Sequence, residues 1–134
     1  MLKKITVIGG GAWGTALACL IARAVGVVNL YVIEDSVVDE VNNKRPNSKY
    51  LGNVKLAEGI HATSNIKDII DSDVIFLATP SYVFEEILQQ LKQEGIAKSI
   101  ILLIATKGLC ENPLQLFSDK VEGDLDNLYA LIWA

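Results

Sequence analysis

A chain of 134 residues, of which 51% are apolar, is long enough for one domain with a substantial buried core. The formal net charge of −4 argues against nucleic acid or an anionic membrane surface as the main partner, although a few local donors could still hold a phosphorylated small ligand. The two cysteines, Cys19 and Cys110, have no spacing typical of a metal site or a disulfide framework. We therefore expect reduced thiols and a cytoplasmic protein.

The first residues of the chain imitate a secretory signal, because Lys3 and Lys4 precede an apolar run. Glycines interrupt that run after Ile8, and Arg23 ends it early. No stretch reaches the about 18–20 apolar residues that a membrane-spanning helix needs. We expect neither a targeting segment nor membrane insertion.

The first predicted strand, residues 3–8, runs directly into a glycine motif with the spacing G-x-G-x-x-G. In this pattern Gly9 permits a tight turn, Gly11 lets the backbone approach a pyrophosphate, and Gly14 lets the following helix lie close to the strand. The N–H groups at the start of that helix could bind an anion. A glycine turn that merely joins a strand to a helix is the alternative, and the motif alone does not decide.

An amphipathic helix is predicted over residues 12–25, with Gly26 as its C-terminal stop, because apolar residues recur there at steps of three and four. A second strand is predicted over residues 27–33. These two elements complete the strand, helix and strand unit that a glycine motif needs before it can indicate a dinucleotide site.

Glu34 lies 20 residues after Gly14, where a dinucleotide-binding unit places a carboxylate that accepts hydrogen bonds from the adenosine ribose. The alternative is a helix cap. Ser36 and Asp39 have the spacing of a capping box before a short helical stretch at residues 37–43. Both interpretations could hold together.

Residues 42–51 are polar, basic and rich in turn formers, which is typical of a long surface loop. A loop of this length is either functional or reaches towards another domain. Composition alone favours a third interpretation, a solvent-exposed loop that only connects two secondary-structure elements.

Strands and helices alternate through the rest of the chain. This alternation predicts an α/β fold in one domain over residues 1–134, with a doubly wound (Rossmann-type), mostly parallel sheet in three layers. The predicted elements are a strand at 60–63, a short helix at 66–70 capped by Ser64 or Asn65, a strand at 73–78, a helix ending near Gln93 before Gly95, a strand at 99–105, a helix after Pro113 and a strand at 128–132.

Ligands of such sheets bind outside the carboxyl ends of the strands. Residues 9–14, 33–34, 79–81 and 106–108 stand at those ends and are predicted to line one edge. Lys107 would place its ammonium group there, near a phosphate or a carbonyl. A lysine that only aids solubility is the alternative.

Other candidate residues carry weaker signals. His61, the only histidine, stands away from the predicted edge, which favours a structural or surface role. Trp13 could pack against the sheet or form a wall of a cofactor cleft. Tyr82 and Phe84 could pack in the core or line the nicotinamide side, and the core is favoured for Phe84. The sequence has no Ser-His or His-Asp arrangement and no metal-ligand spacing.

Four segments of the chain form one pattern: residues 9–18; Asn42, Arg45, Asn47, Tyr50 and Leu51; Thr79-Pro80-Ser81; and Ala105-Thr106-Lys107-Gly108-Leu109. The second and fourth of these segments are more specific than the glycines. In order and spacing, across nearly the whole chain, the four segments together resemble bacterial NAD(P)-dependent glycerol-3-phosphate dehydrogenase. The resemblance implies reduction of dihydroxyacetone phosphate to sn-glycerol 3-phosphate for phospholipid synthesis, in a homodimeric enzyme.

The resemblance also implies site residues. Ala12, Trp13 and Ile33 would contact the dinucleotide, and Lys107 would contact both the cofactor and the phosphate ester of the substrate. No catalytic residue and no metal ligand is predicted within these 134 residues. The whole predicted cofactor-binding set is Gly9, Gly10, Gly11, Ala12, Trp13, Gly14, Ile33, Glu34, Pro80, Ser81 and Lys107.

The sequence departs from the family pattern at Ile33, where members often carry arginine or histidine. Without a cation there, and with Glu34 and Asp35 beside it, the 2′-phosphate of NADP would meet like charge. We therefore expect a preference for NADH over NADPH.

A second departure concerns length. The family has a helical C-terminal domain that completes the substrate site, supplies the proposed acid–base lysine and forms most of the dimer contact. That lysine has no counterpart in the present sequence, so we expect the 134 residues to bind cofactor with almost no turnover.

Two other functions remain open from the residues. One is a non-catalytic module that senses NAD(H); the other is a dehydrogenase that acts on a different carbonyl substrate, such as 6-phosphogluconate or a hydroxyacid. The Lys107 segment and residues 42–51 favour a glycerol-3-phosphate dehydrogenase over both.

Overall fold

The computed structural model describes residues 4–108, 110 and 114–132. Six parallel strands form one sheet in the order β3-β2-β1-β4-β5-β6. The elements in chain order are β1 (Ile5–Ile8), α1 (Ala12–Val25), β2 (Val28–Tyr31), α2 (Asp35–Asn43), α3 (Ser48–Leu51), β3 (Ile60–Thr63), a 3₁₀ turn (Ile66–Asp68), β4 (Val74–Leu77), α4 (Ser81–Glu94), β5 (Ile101–Ile104), α5 (Phe117–Asp124) and β6 (Tyr129–Leu131).

The core has two parts, one on each face of the sheet. Successive strand residues point to opposite faces, so Val7 packs with Leu17 of α1 whereas Ile8 packs with Phe84 of α4. The rings of Phe84 and Phe117 lie 4.2 Å apart and join α4 to α5. Helices therefore cover both faces, which confirms the doubly wound, three-layer prediction and the core position of Phe84.

The strand order reverses between β1 and β4. The chain leaves β1 towards β2 on one side of the sheet and returns to β4 on the other side. The helices that follow β1 and β4 therefore diverge to opposite faces and leave a crevice at the carboxyl ends of these two strands. This crevice is the natural ligand position in a doubly wound sheet.

Most predicted boundaries agree with the structure to within two residues. The helix over residues 12–25 is confirmed, and Gly26 ends it with φ +97°. The Asn65 cap is also confirmed, because its side chain accepts a hydrogen bond from the backbone N–H of Lys67 at 3.1 Å, although the element is a 3₁₀ turn shorter than predicted. The predicted first position of the first strand, Lys3, lies outside the described residues.

Two local predictions are wrong. The capping box at Ser36 and Asp39 is not formed, because α2 begins at Asp35 and Glu34 is its N-cap residue, without a side-chain cap bond. The helix predicted from Leu114 begins only at Phe117. Before it, the backbones of Cys110 and Gln115 form an antiparallel bridge with hydrogen bonds of 2.9 and 3.1 Å. Pro113, the predicted first-turn residue, lies outside the described residues.

In the described part of the chain, no helix combines the length and the apolar character needed to cross a lipid bilayer.

Candidate functional site

In the turn between β1 and α1, a side chain on Gly9 or on Gly14 would collide with the backbone. Gly9 has φ +128°, and a Cβ atom there would lie 2.4 Å from the carbonyl oxygen of Ala78. A Cβ atom on Gly14 would lie 1.9 Å from the carbonyl oxygen of Gly9. The predicted reasons for these two glycines, a tight turn and a close approach of helix to strand, are therefore confirmed.

Gly11 differs from its neighbours because a Cβ atom there would meet no heavy atom within 4 Å. Gly11 is the N-cap residue of α1, and the first N–H groups of a helix have no partner within the helix. The space beside Gly11 thus lies open at a position with local positive potential. This geometry is suited to an anionic group.

Two cavities adjoin at this turn and form what we term the carboxyl-edge cleft. One, of about 180 Å³, includes Ile33, Glu34 and Tyr50 in its lining. The other, of about 350 Å³, includes Trp13 and Lys107. Both cavities share Gly11, Thr79 and Pro80. Every residue of the predicted cofactor-binding set lines one cavity or both: Gly9, Gly10, Gly11, Ala12, Trp13, Gly14, Ile33, Glu34, Pro80, Ser81 and Lys107.

Trp13 and Lys107 form one end of the cleft. The indole Nε1 of Trp13 donates a hydrogen bond of 3.0 Å to the carbonyl oxygen of Ala105, at the end of β5. The Nζ of Lys107 lies 5.9 Å from the centre of the Trp13 ring, within the range of a cation–π contact. Trp13 was predicted either to pack against the sheet or to line a cleft, and in the structure it does both.

Two buried threonines fix the strand ends below Lys107. The Oγ1 of Thr106 donates to the carbonyl oxygen of Leu77 at 3.0 Å and lies 3.5 Å from the Oγ1 of Thr79. These contacts join the carboxyl end of β4 to that of β5. They set the position from which the exposed Lys107 side chain reaches the cleft.

Glu34 lies at the opposite end of the cleft from Lys107. Its Oε1 accepts a hydrogen bond of 2.7 Å from the hydroxyl of Tyr50 and lies 3.4 Å from the Nζ of Lys49. The bond from Tyr50 is the largest influence and lowers the pKa of the Glu34 carboxyl; partial burial raises it, and the charge of Lys49 lowers it. Both of these side-chain contacts fall on Oε1, and a hydrogen bond from the backbone of Glu34 itself also lowers the pKa.

The interpretation of residues 42–51 as a merely solvated connection is wrong. The segment contains α3, Asn47 is fully buried, and Tyr50 lines the cleft beside Glu34. Sequence reasoning missed Tyr50, Lys49 and Asn47 as site residues because polar composition suggested exposure. The spacing of Asn47 and Tyr50 could have identified them, because residues three apart lie on the same face of a helical turn and can point towards the same site.

Three further predictions have clear outcomes. His61 is exposed on β3, which confirms its surface position. Tyr82 is 85% exposed and lines the cavity of Ile33 and Glu34, not the one that contains Lys107. Cys110 is buried, and burial is the main cause that raises the pKa of its thiol to about 11, so it stays protonated.

Comparisons with known sequences agree on one family. The model of the N-terminus of NAD-dependent glycerol-3-phosphate dehydrogenase matches residues 4–132. The NAD(P)+ glycerol-3-phosphate dehydrogenase of Rickettsia bellii is 44% identical over 125 residues, which are 93% of this chain and 40% of that protein. The chain thus spans about two fifths of the length of the curated relatives it matches.

Solved structures show the same fold. The glycerol-3-phosphate dehydrogenase of Coxiella burnetii superposes with a TM-score of 0.86 at 30% identity, over 96% of this chain and 39% of that one. A ketopantoate reductase family protein from Ralstonia eutropha also superposes, with a TM-score of 0.73 at 19% identity, over 96% of this chain and 40% of that one. The second likeness concerns the fold alone.

Proposed function

Since the chain belongs to the family of N-terminal domains of NAD-dependent glycerol-3-phosphate dehydrogenases, we propose that it holds the cofactor of an enzyme that interconverts dihydroxyacetone phosphate and sn-glycerol 3-phosphate by hydride transfer. One observation carries the proposal: the carboxyl-edge cleft runs from the Glu34 carboxylate, past the open space at Gly11, to the Lys107 ammonium. Along the cleft, the carboxylate would accept from the ribose of a dinucleotide, the open space would hold its pyrophosphate, and the ammonium would bind the phosphate of the substrate.

The pyrophosphate of the cofactor would lie at Gly11. The N-terminus of α1 supplies backbone N–H donors there, and no side chain occupies the space. Gly9 and Gly14 maintain this geometry because any side chain on them would collide with the backbone. The residues present therefore fit a dinucleotide.

The adenosine ribose would lie at Glu34, whose carboxylate oxygens can accept from its hydroxyls. Ile33 is 63% exposed beside it and brings no positive charge. Lys49 is the nearby cation, but it already pairs with Glu34, and Asp35 adds another carboxylate. We therefore infer a preference for NADH over NADPH, because a 2′-phosphate would gain little from this surface.

The nicotinamide would lie towards Trp13 and Lys107, and when bound it supplies the hydride. The ammonium of Lys107 would bind the phosphate ester of dihydroxyacetone phosphate or glycerol 3-phosphate as a compact cation. Its exposure at the cleft supports this role. The family supports a cytoplasmic location, a homodimeric parent enzyme and a place in phospholipid synthesis as parts of the same proposal.

The 134 residues by themselves are proposed to bind cofactor with almost no turnover. Hydride transfer needs the carbonyl held against the nicotinamide and a proton donor within reach. The relatives are about two and a half times as long as the matched region, which leaves room for such groups elsewhere in those proteins.

A titration with NADH, followed by fluorescence, and a steady-state assay of dihydroxyacetone phosphate reduction test the proposal together. We expect saturable NADH binding with little NADH oxidation. A chain that fails to bind either NADH or NADPH would refute the cofactor role. Ordinary steady-state activity from these 134 residues would refute the claim that they are inactive by themselves.

A further inference from the structure

A hydrogen-bond network encloses the carbonyl oxygen of Gly10. The Nδ2 of Asn47 donates to this oxygen at 2.9 Å, and the Oγ1 of Thr15 donates to it at 3.2 Å. The same Nδ2 lies 3.0 Å from the Oγ1 of Thr15, which accepts its second hydrogen bond. Asn47 and Thr15 are both fully buried. Two donors from different parts of the chain therefore hold one carbonyl of the glycine turn.

Holding this carbonyl fixes the direction of the next N–H group. The peptide between Gly10 and Gly11 is planar, and in a trans peptide the C=O and N–H bonds point in opposite directions. If Asn47 and Thr15 hold the Gly10 oxygen towards the protein interior, the Gly11 N–H points away from it. Gly11 is where the two cavities of the cleft adjoin and where the space is open.

Asn47 is also incompletely satisfied. Among the residues that the structure describes, no group donates to its buried Oδ1. A buried acceptor without a partner costs free energy, and an apolar side chain of similar size would avoid that cost. The amide at this position offsets that cost only through its Nδ2 donor, which bonds to Gly10 and Thr15.

The backbone around Asn47 is held in place from several directions. Arg45 has φ +82°, an unfavourable value for a residue with a side chain, and its Nη1 donates to the carbonyl oxygen of Ile60 at 2.9 Å. The backbone N–H of Ser48 donates to the Oε1 of Glu40 at 2.6 Å. Asn47 therefore reaches the glycine turn from a fixed segment.

We propose that Asn47 is a positioning residue, which with Thr15 orients the Gly10–Gly11 peptide so that the Gly11 N–H faces the diphosphate of a bound nucleotide. This inference rests on the proposed function, since it assigns the diphosphate of the cofactor to that N–H. Asn47 does not touch the ligand itself; it acts through the carbonyl that it holds.

The variant Asn47→Leu tests this inference against two probes, ADP and adenosine, which share a base and a ribose and differ in the diphosphate. Affinities are measured by ¹H–¹⁵N NMR titration of the 134-residue chain. We expect ADP to bind roughly tenfold more weakly to the variant, as for the loss of one charge-assisted hydrogen bond, with adenosine binding unchanged. The ADP-induced shift of the Gly11 amide resonance should shrink in parallel.

The matched control is Asn127→Leu. Asn127 is also a buried asparagine, whose Nδ2 donates to the carbonyl oxygens of Ala97 and Ile100 at 2.9 and 2.7 Å, at the start of β5 and away from the cleft. Its loss should lower stability and leave the ratio of ADP to adenosine affinity as in the wild type. If Asn47→Leu does not fold, Thr15→Val replaces it, with Thr15→Ser as the variant expected to restore ADP binding.

The possible outcomes distinguish the proposed cofactor-binding function from the proposed role of Asn47. A wild-type chain that binds neither NADH nor ADP refutes the proposed function and this inference with it. A wild-type chain that binds both, with an unchanged ADP to adenosine ratio in Asn47→Leu or Thr15→Val, refutes only the role of Asn47. An equal loss of ADP and adenosine binding also refutes it, because that result indicates general damage to the fold.

Discussion

The hydroxyl of Tyr50 donates a hydrogen bond of 2.7 Å to the Oε1 of Glu34, a residue 16 positions earlier in the chain. This bond joins α3 to the N-cap residue of α2. It also orients the carboxylate that we assign to the adenosine ribose. The ribose end of the cleft therefore depends on a segment whose composition suggested a solvated loop.

Replacing Tyr50 by phenylalanine should raise the pKa of Glu34 and weaken NADH binding. The hydroxyl is the largest cause of the lowered pKa, and without it the carboxylate loses a partner that fixes its orientation. We expect a loss of affinity of roughly two- to fivefold, typical of one hydrogen bond at a partly exposed site. Carboxyl ¹³C NMR and NADH titration measure the two effects.

Tyr82→Phe is the matched control for that change. Tyr82 lines the same cavity but is 85% exposed, so removing its hydroxyl should leave the pKa of Glu34 unaltered. An unchanged Glu34 pKa in the Tyr50 variant would contradict the assigned role of the hydroxyl.

The stability of the domain should depend on pH through Glu34. The pKa of this carboxyl is lower in the folded chain, so its contribution is present above its unfolded pKa of about 4.3 and is lost as the pH falls through the folded value. Urea unfolding at pH 7 and at a series of values below 4.3 should show the Tyr50→Phe variant losing less stability than the wild type. Equal losses of stability at low pH in the wild type and in Tyr50→Phe would contradict the role assigned to Glu34.

Alanine at Gly11 and at Gly14 should have opposite consequences. Gly11→Ala meets no atom within 4 Å, so the chain should fold normally, but its methyl group would occupy the pyrophosphate position and weaken NADH binding at least about tenfold. Gly14→Ala would place a carbon 1.9 Å from a backbone oxygen and should cost about 2–4 kcal/mol of stability.

Thermal unfolding and NADH titration distinguish these two variants. The control is Gly123→Ala in α5, where the added carbon also meets nothing within 4 Å and the site is remote from the cleft. It should preserve NADH affinity. If the Gly11→Ala protein binds NADH as tightly as the wild type, the assignment of the pyrophosphate to the space beside Gly11 is wrong.

An arginine at position 33 should shift the coenzyme preference towards NADPH. Ile33 is exposed on the cleft beside Glu34, and a guanidinium there could pair with a 2′-phosphate. We expect Ile33→Arg to change the ratio of NADH to NADPH dissociation constants about tenfold in favour of NADPH.

Leu20→Arg controls for the added charge, because Leu20 is 62% exposed on α1 and does not line the cleft. It should leave the ratio of the two dissociation constants unaltered. A wild-type chain that already binds NADPH more tightly than NADH would overturn the inferred preference.

The sequence by itself determined the fold and the edge of the sheet where a ligand would lie. The requirements at Gly9 and Gly14 could be predicted because they arise within one strand, turn and helix, where spacing along the chain fixes distances in space. The alternation of elements likewise predicted a parallel sheet, since parallel strands need crossover connections. Lys107 could be placed for the same reason, as the carboxyl end of a strand has a defined position.

Only the tertiary structure decided what Asn47 and Tyr50 do. Asn47 bonds to a carbonyl 37 residues earlier, and its polar side chain is buried because a distant backbone oxygen satisfies its donor. The type of a residue indicates whether it prefers contact with water. It does not show which hydrogen-bond partner a distant part of the chain will provide after folding. The start of α5 at Phe117 was likewise not visible in the sequence, since the backbone of Gln115 pairs with that of Cys110 before the helix begins.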